Sequence, residues 1–396
     1  MVEKITPEEV GLSSERLGRI NDFMIRYVDG GQAAGFVTLV ARKGEIVFFD
    51  NYGYQDIDAK MPLANDTIFR IYSMTKPITS VGFMMLFERG LVRLEDPVSI
   101  YIPEFKNIKV LGKDGKRLNL DKEITIHNLL DHTAGLSYGG IEETKLPVDA
   151  YYDQANLFEP RIDLEEMVRR ITTLPLAFQP GDKWHYSVAT DVVGRLIELI
   201  TDMPLIDYLR EKVLDPLGMV DTDFCVPPGK RNRFSTLYGK VGEADLGVLD
   251  DAIGGDYFNV SLQSGGSGLV STMPDYCRFA QMLLNRGEWG GMRFLGSKTV
   301  DYMIANHLSK SLLPINMGGP WHGFGFGLGF SVMLDVPLSG MMGSTGVHGW
   351  GGWANTHFWI DQIEELIGIL MMQYIPSGTF PFTNDFRTAV YQAIID

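Results

Sequence analysis

Between Ser13 and Tyr27 the apolar side chains Leu17, Ile20, Phe23, Met24 and Tyr27 recur at the spacing of one helix face. Ser13 can cap that helix and Gly30-Gly31 can end it. Residues 35–53, "GFVTLVARKGEIVFFDNYG", then switch to two β-rich runs around Lys43-Gly44, which predicts a hairpin. From 125 to 215 the pattern is helical again, clearest in "DLEEMVRRITTL" and "SVATDVVGRLIELITDMP", with a polar and aromatic loop from Ser137 to Pro160. "SGGSGLVSTMPDYCRFAQMLLNRG" predicts a glycine turn and a helix capped by Thr272, with Pro274 in its first turn.

"GFGFGLGFSVML" from Gly323 predicts a strand that something approaches closely on one face. "THFWIDQIEELIGILMMQY" gives two strands around an acidic turn, and "DFRTAVYQAIID" a closing helix. Helix and strands at one end, strands and helix at the other, and helices between predict an α/β fold of the α+β type. One antiparallel sheet is assembled from residues 1–73 and 290–396, beside a mostly helical region over 74–289.

Composition narrows the function. The 396 residues are 45% hydrophobic and 21% charged, the make-up of a globular chain with a large core. With 35 basic and 50 acidic side chains the formal charge is −15, which opposes binding to nucleic acid or anionic membranes. Cys225 and Cys277 are too few for a disulfide framework and lack metal-ligand spacing. No apolar run approaches the roughly 20 residues of a membrane span. The N-terminus has no basic, apolar and small-residue signal pattern, so the expectation is a cytoplasmic enzyme.

Within "FRIYSMTKPITSVGFMML", Ser73 is followed three residues later by Lys76 and then by Pro77 and an apolar helical run. A helix starting near Ser73 would place both side chains on one face at its positive end. A serine hydroxyl needs a neighbour to take its proton, and a desolvated lysine can do so. Taken alone, the pair fits a helix cap and a solvated amine better than a nucleophile and its base. The competing serine is Ser137 in "GLSYG", which matches G-x-S-x-G but lacks the strand before it and the helix after it, so it reads as a loop residue.

Two distant elements change the balance. "QPGDKWHYSVATDVVGRLIELI" sets Tyr186 between a Pro-Gly turn and an amphipathic helix, where its phenol can face a cleft. "STGVHGWGGWANTHFWID" sets Trp350, Gly351 and Gly352 before a strand, where a backbone N–H can serve as an oxyanion donor.

Together the segments resemble the serine β-lactamase and penicillin-binding protein superfamily, class C in type, and within it the family VIII carboxylesterases. "FRIYSMTKPITS" resembles the S-x-x-K motif, "LLDHTAGLSYG" the segment following it, "YSVATDVVGRLIE" the tyrosine motif and "GWGGWANTHFWID" the motif on the sheet edge. The resemblance spans nearly the whole chain. It implies a β-lactamase/DD-peptidase-like fold and a carboxylic-ester hydrolase working through an acyl-serine. Ser73 would be the nucleophile, Lys76 and Tyr186 the proton-transfer pair, and the N–H groups of Ser73 and Trp353 the oxyanion donors. No metal or other cofactor is required.

The chain departs from the β-lactamase and peptidase pattern in two places. Val188 stands where those enzymes carry an asparagine, and Trp350-Gly351-Gly352 where they carry Lys/His-Thr-Gly. Losing an amide and a cation that hold a substrate's amide and carboxylate points to a neutral small-molecule ester. His348 lies close enough in sequence to restore part of the charge. Tyr138, Tyr151, Tyr152 and Phe158, with the segment Trp321 to Phe326, are expected to shape the acyl or alcohol pocket. The rival readings are a β-lactamase or peptidase, an acyltransferase, and a degenerate acyl-ligand-binding protein.

Overall fold

In a computed structural model, residues 4–140, 146–242, 244–249 and 255–396 are described. The main sheet has eight antiparallel strands. The N-terminal part gives β1 (Gly35–Arg42), β2 (Glu45–Asp56) and β3 (Met61–Pro62). The C-terminal part gives β4 (Phe324–Phe326), β5 (Ser331–Met333), β6 (His348–Gly351), β7 (His357–Asp361) and β8 (Leu366–Met371). Their order is β4-β5-β6-β7-β8-β1-β2-β3, so the two chain ends meet where β1 pairs with β8, Leu39 opposite Ile369. Every residue of β1 and β8 is buried, because helices cover both faces there, whereas β2 is partly open to solvent.

One face is covered by α1 (Arg19–Asp29) and, from the other chain end, the helix Phe382–Tyr391, which pack on each other. The predicted N-terminal helix is interrupted at Gly18: Ser13 caps a single turn, Ser14–Leu17, and α1 follows. On the opposite face α4 (Met273–Leu284) lies directly on the sheet, while α2 (Thr75–Glu88) packs on α3 (Ala189–Thr201) and the turn leading into α2 contacts β6. Tyr276 of α4 packs its ring 5.0 Å from Phe358, and Gln281 donates to the Gly44 carbonyl. The C-terminal helix, Phe382–Tyr391, is α5.

The β1–β2 turn has Lys43 at φ 54° and Gly44 at φ 84°, the two left-handed residues of a type I′ hairpin. The glycine-rich segment expected to be one strand is a hairpin, β4 and β5, joined at Gly327–Phe330. Its glycines admit close neighbours. A Cβ at Gly327 would lie 2.2 Å from the Met303 carbonyl oxygen and one at Gly329 2.3 Å from Ser80 Oγ.

The middle region also contains what its pattern did not announce, a hairpin of Tyr238–Val241 and Ala244–Val248 whose first strand runs parallel to Tyr374–Ile375. The expected loop from Ser137 to Pro160 includes a helix, Asp149–Ala155, while 141–145 fall outside the described residues. Among the described residues no helix is long and apolar enough to cross a membrane.

Candidate active site

Helix α2 is buried around nearly its whole circumference, the polar Thr75, Lys76, Thr79 and Ser80 included, and runs through the interior. Its entrance is a short 3₁₀ turn, Tyr72–Met74, that leaves Ser73 half-buried while Met74 and Lys76 are fully buried. Several bonds fix this entrance. The Gln373 side chain pairs with both backbone groups of Arg70, donating to its carbonyl and accepting from its N–H at 3.1 Å each. The Tyr276 hydroxyl donates to the Met74 carbonyl at 2.9 Å. Tyr72 sits at φ 40°, a strained conformation for a tyrosine, with its ring edge-on to Trp353 at 5.8 Å.

Lys76 points along α2 toward Ser73. Its Nζ donates to Ser73 Oγ at 3.1 Å, to the Tyr138 hydroxyl at 2.8 Å and to the Gly266 carbonyl at 2.8 Å. Three acceptors match the three N–H bonds of an ammonium. The same nitrogen lies 4.5 Å from the Tyr186 ring centre and 5.2 Å from that of Tyr138.

Tyr186 reaches this point because its chain segment is pinned to the end of an earlier helix, Ile126–Leu130. The Gly181 N–H donates to the Thr133 carbonyl and the His185 N–H to that of His132. The Trp350 indole N–H donates to the Tyr186 hydroxyl at 3.1 Å. That indole is wedged among Tyr186, Phe326 and Trp321, with ring centres 5.2–6.2 Å away. Here the resemblance would place a cation, and the chain supplies a neutral donor.

Gly351, Gly352 and Trp353 continue past Trp350 along the same cavity as Ser73. A Cβ on Gly352 would lie 2.4 Å from the Ile71 carbonyl oxygen, so glycine lets this turn touch the Ser73 turn. Among the described residues, neither the Ser73 nor the Trp353 backbone N–H has an acceptor.

The cavity measures about 1200 Å³ and is walled by Tyr72, Tyr138, Phe158, Tyr257, Trp321, Phe324, Trp350 and Trp353. Of the aromatic residues expected in the pocket, Tyr138 and Phe158 line it and stack at 6.1 Å. Tyr151 instead lies exposed on the helix Asp149–Ala155, and Tyr152 is buried in the core.

Two further expectations need correction. Val188 is fully buried at the start of α3 and packs into the core, so it does not face the cavity. His348 borders the cavity but is 1% exposed, against Phe330. Burial pushes its pKa down to about 4, so it is neutral at pH 7 and cannot replace the missing cation.

Ser137 lies in a loop, fully buried, with Asp149 and His185 at hydrogen-bond reach. Its hydroxyl donates to Asp149 at 2.7 Å and accepts from the Gly139 N–H at 3.0 Å. A proton committed to a carboxylate inside the core makes this a brace for the loop carrying Tyr138.

Sequence reasoning missed Asp191 and, although it predicted the glycine turn at 264–268, missed that the Gly266 carbonyl accepts from Lys76. Asp191 is a fully buried carboxylate on α3 that accepts from Ser264 Oγ and from the Gly266 N–H. Its signal was a lone acid inside the apolar run "VATDVV".

The Beta-lactamase family pattern matches residues 20–392. The chain belongs to that family. Protein Rv1367c of Mycobacterium tuberculosis is 35% identical over 368 residues, covering 90% of each chain. Esterase EstB of Burkholderia gladioli is 30% identical over 375 residues, again 90% of each. Among solved structures, EstCE1, described as a hydrolase with promiscuous acyltransferase activity, superposes with a TM-score of 0.81 at 26% identity, covering 95% of this chain and 99% of the other.

His348 also yields a stability prediction. Its folded pKa of about 4 lies below the ordinary 6.5, so the unfolded chain binds the extra proton first as pH falls. The stability it contributes is complete above pH 6.5 and is lost on acidification toward 4, on the order of 3 kcal/mol in all. Urea unfolding across that range is expected to show a flatter acid decline in His348→Gln than in the wild type. Parallel declines would contradict the burial assignment.

Proposed function

We propose that this chain is a serine carboxylesterase acting on neutral small-molecule esters through an acyl-Ser73 intermediate. The observation that carries the reading is the placement of Lys76 Nζ 3.1 Å from Ser73 Oγ, with Tyr186 beside them and held by a neutral indole N–H.

In the forward step, Ser73 Oγ bonds to the ester carbonyl carbon and its proton passes to the Lys76 and Tyr186 pair. The carbonyl oxygen takes up negative charge toward the N–H groups of Ser73 and Trp353. Collapse of the tetrahedral species breaks the bond to the alcohol oxygen, which receives the proton. Water, deprotonated by the same pair, then releases the acid and restores Ser73. General acid–base transfer of this kind contributes roughly 10²- to 10⁴-fold, and each preorganised oxyanion donor about 10²- to 10³-fold.

The preference for a neutral ester rests on the charges around the cavity. Its lining includes two charged side chains among the described residues, Asp256 and Arg387. Arg387 is 3% exposed on α5, where its Nε donates to the Met342 carbonyl and its guanidinium packs 5.4 Å from the Trp359 ring, so it is held against β7. A β-lactam or peptide carboxylate would leave water without a cation to meet it, at a cost of several kcal/mol.

Ser73→Ala is expected to reduce hydrolysis of p-nitrophenyl butyrate to background while circular dichroism stays native. The wild type is expected to turn over that ester at least about 10²-fold faster than a chromogenic cephalosporin, measured as kcat/KM. Ester hydrolysis persisting in Ser73→Ala would overturn the nucleophile, and a faster cephalosporin rate would overturn the substrate class.

Acyl transfer is a second reading favoured by cavity size. About 1200 Å³ exceeds the 300–1,000 Å³ of common ligand sites and leaves room for an acceptor alcohol beside a small acyl group. Added butanol is then expected to divert the acyl group into butyl ester, read by chromatography. Free acid as the sole product would contradict this reading.

A further inference from the structure

Asp191 has no place in the reaction as written, yet a single glycine separates it from Lys76. It is fully buried, and its Oδ2 has no hydrogen-bond partner. One glycine links it to Lys76: the Gly266 N–H donates to Asp191 Oδ1 at 3.1 Å, while the Gly266 carbonyl accepts from Lys76 Nζ at 2.8 Å. Ser264 Oγ donates to the same Oδ1 at 2.5 Å. A Cβ at Gly266 would fall 2.7 Å from Asp191 Oδ2 and 3.2 Å from the Tyr138 hydroxyl, so this turn brings carboxylate, phenol and amine to one point.

We propose that Asp191 is the buried counter-charge of Lys76, a positioning residue that holds the amine in place and sets the pH at which it can accept the Ser73 proton. This rests on the acyl-serine reading given above. Among the described residues, Lys76 is faced by Ser73, by the phenols of Tyr138 and Tyr186, by the buried imidazole of His132 with His185 behind it, and by Asp191. Burial holds His132 neutral, so it supplies no opposing charge. Asp191 is the carboxylate in that set. Burial raises its own pKa, while the Ser264 hydroxyl and the Lys76 charge hold it down, which ties the two titrations together.

A carboxylate favours the ammonium form, and the ammonium cannot act as base. The acid limb of the pH–rate profile therefore lies higher with Asp191 than without it. If Tyr186 is the base instead, an unopposed Lys76 cation favours the tyrosinate, and the limb moves the same way.

Asp191→Asn keeps an oxygen acceptor for Ser264 and the Gly266 N–H but removes the charge. The acid limb of kcat/KM for p-nitrophenyl butyrate is expected to move about one pH unit or more toward acid, with the change in kcat and not in KM. Ser264→Ala, which removes a donor to the carboxylate and makes it easier to protonate, is expected to move the limb the same way by less. It decides the question if Asp191→Asn does not fold. A limb that stays in place while activity falls equally at every pH would overturn the proposal and leave Asp191 a packing residue. Ester hydrolysis that survives Ser73→Ala would instead remove the underlying reading, so the two failures are distinguishable.

Discussion

A primary amine buried in the interior with 0% exposure has to find its partners in the protein. Lys76 obtains them from three unconnected stretches of chain, the Ser73 turn, the loop of Tyr138 and the turn at Gly266. Much of the local structure follows from that requirement. Ser137 and Asp149 brace the loop that delivers Tyr138, Asp191 and Ser264 brace the turn that delivers Gly266, and Gln373 and Tyr276 fix the entrance to α2. Removing an acceptor would leave a polar group buried without a partner, at about 1–3 kcal/mol or more for a charge.

The sheet supplies the other half of the site. Trp350 and Ser73 come from segments far apart in sequence, and the pairing of β6 with β7 and of β8 with β1 places them along one cavity. Glycine at 352 lets the β6–β7 turn contact the Ser73 turn, and the Tyr72–Trp353 ring contact locks the two together. The cavity between them is aromatic and poor in cations, the environment in which a neutral acyl group is bound and a carboxylate is penalised.

Long periodic segments and turn chemistry made much of this legible in the sequence. The β1–β2 hairpin, α3, α4 and the two strands after Thr356 follow from patterns of two and of 3.6 residues with Gly, Thr and Asp at their ends. Ser73, Lys76, Tyr186 and Trp350 were readable as a set because residue types and chain order agreed. What was not readable depends on three-dimensional burial. In sequence His348 reads as a charge because sequence distance says nothing of desolvation, and Val188 as a pocket residue because only core packing orients its helix start. Tyr151 and Tyr152 were grouped with Tyr138 because a short helix inside an aromatic loop turns adjacent side chains apart. Asp191 stayed hidden because its partner is a glycine backbone some 75 residues away.

The central claim is that Ser73 is the nucleophile the buried amine serves. Incubation with a fluorophosphonate followed by peptide mass spectrometry reads this directly. The account predicts one adduct on the peptide containing Ser73, blocked by prior exposure to a slow ester substrate and absent in Ser73→Ala. An adduct on Ser137 or another serine, or an unmodified Ser73 in protein that has lost its ester hydrolysis, would contradict it.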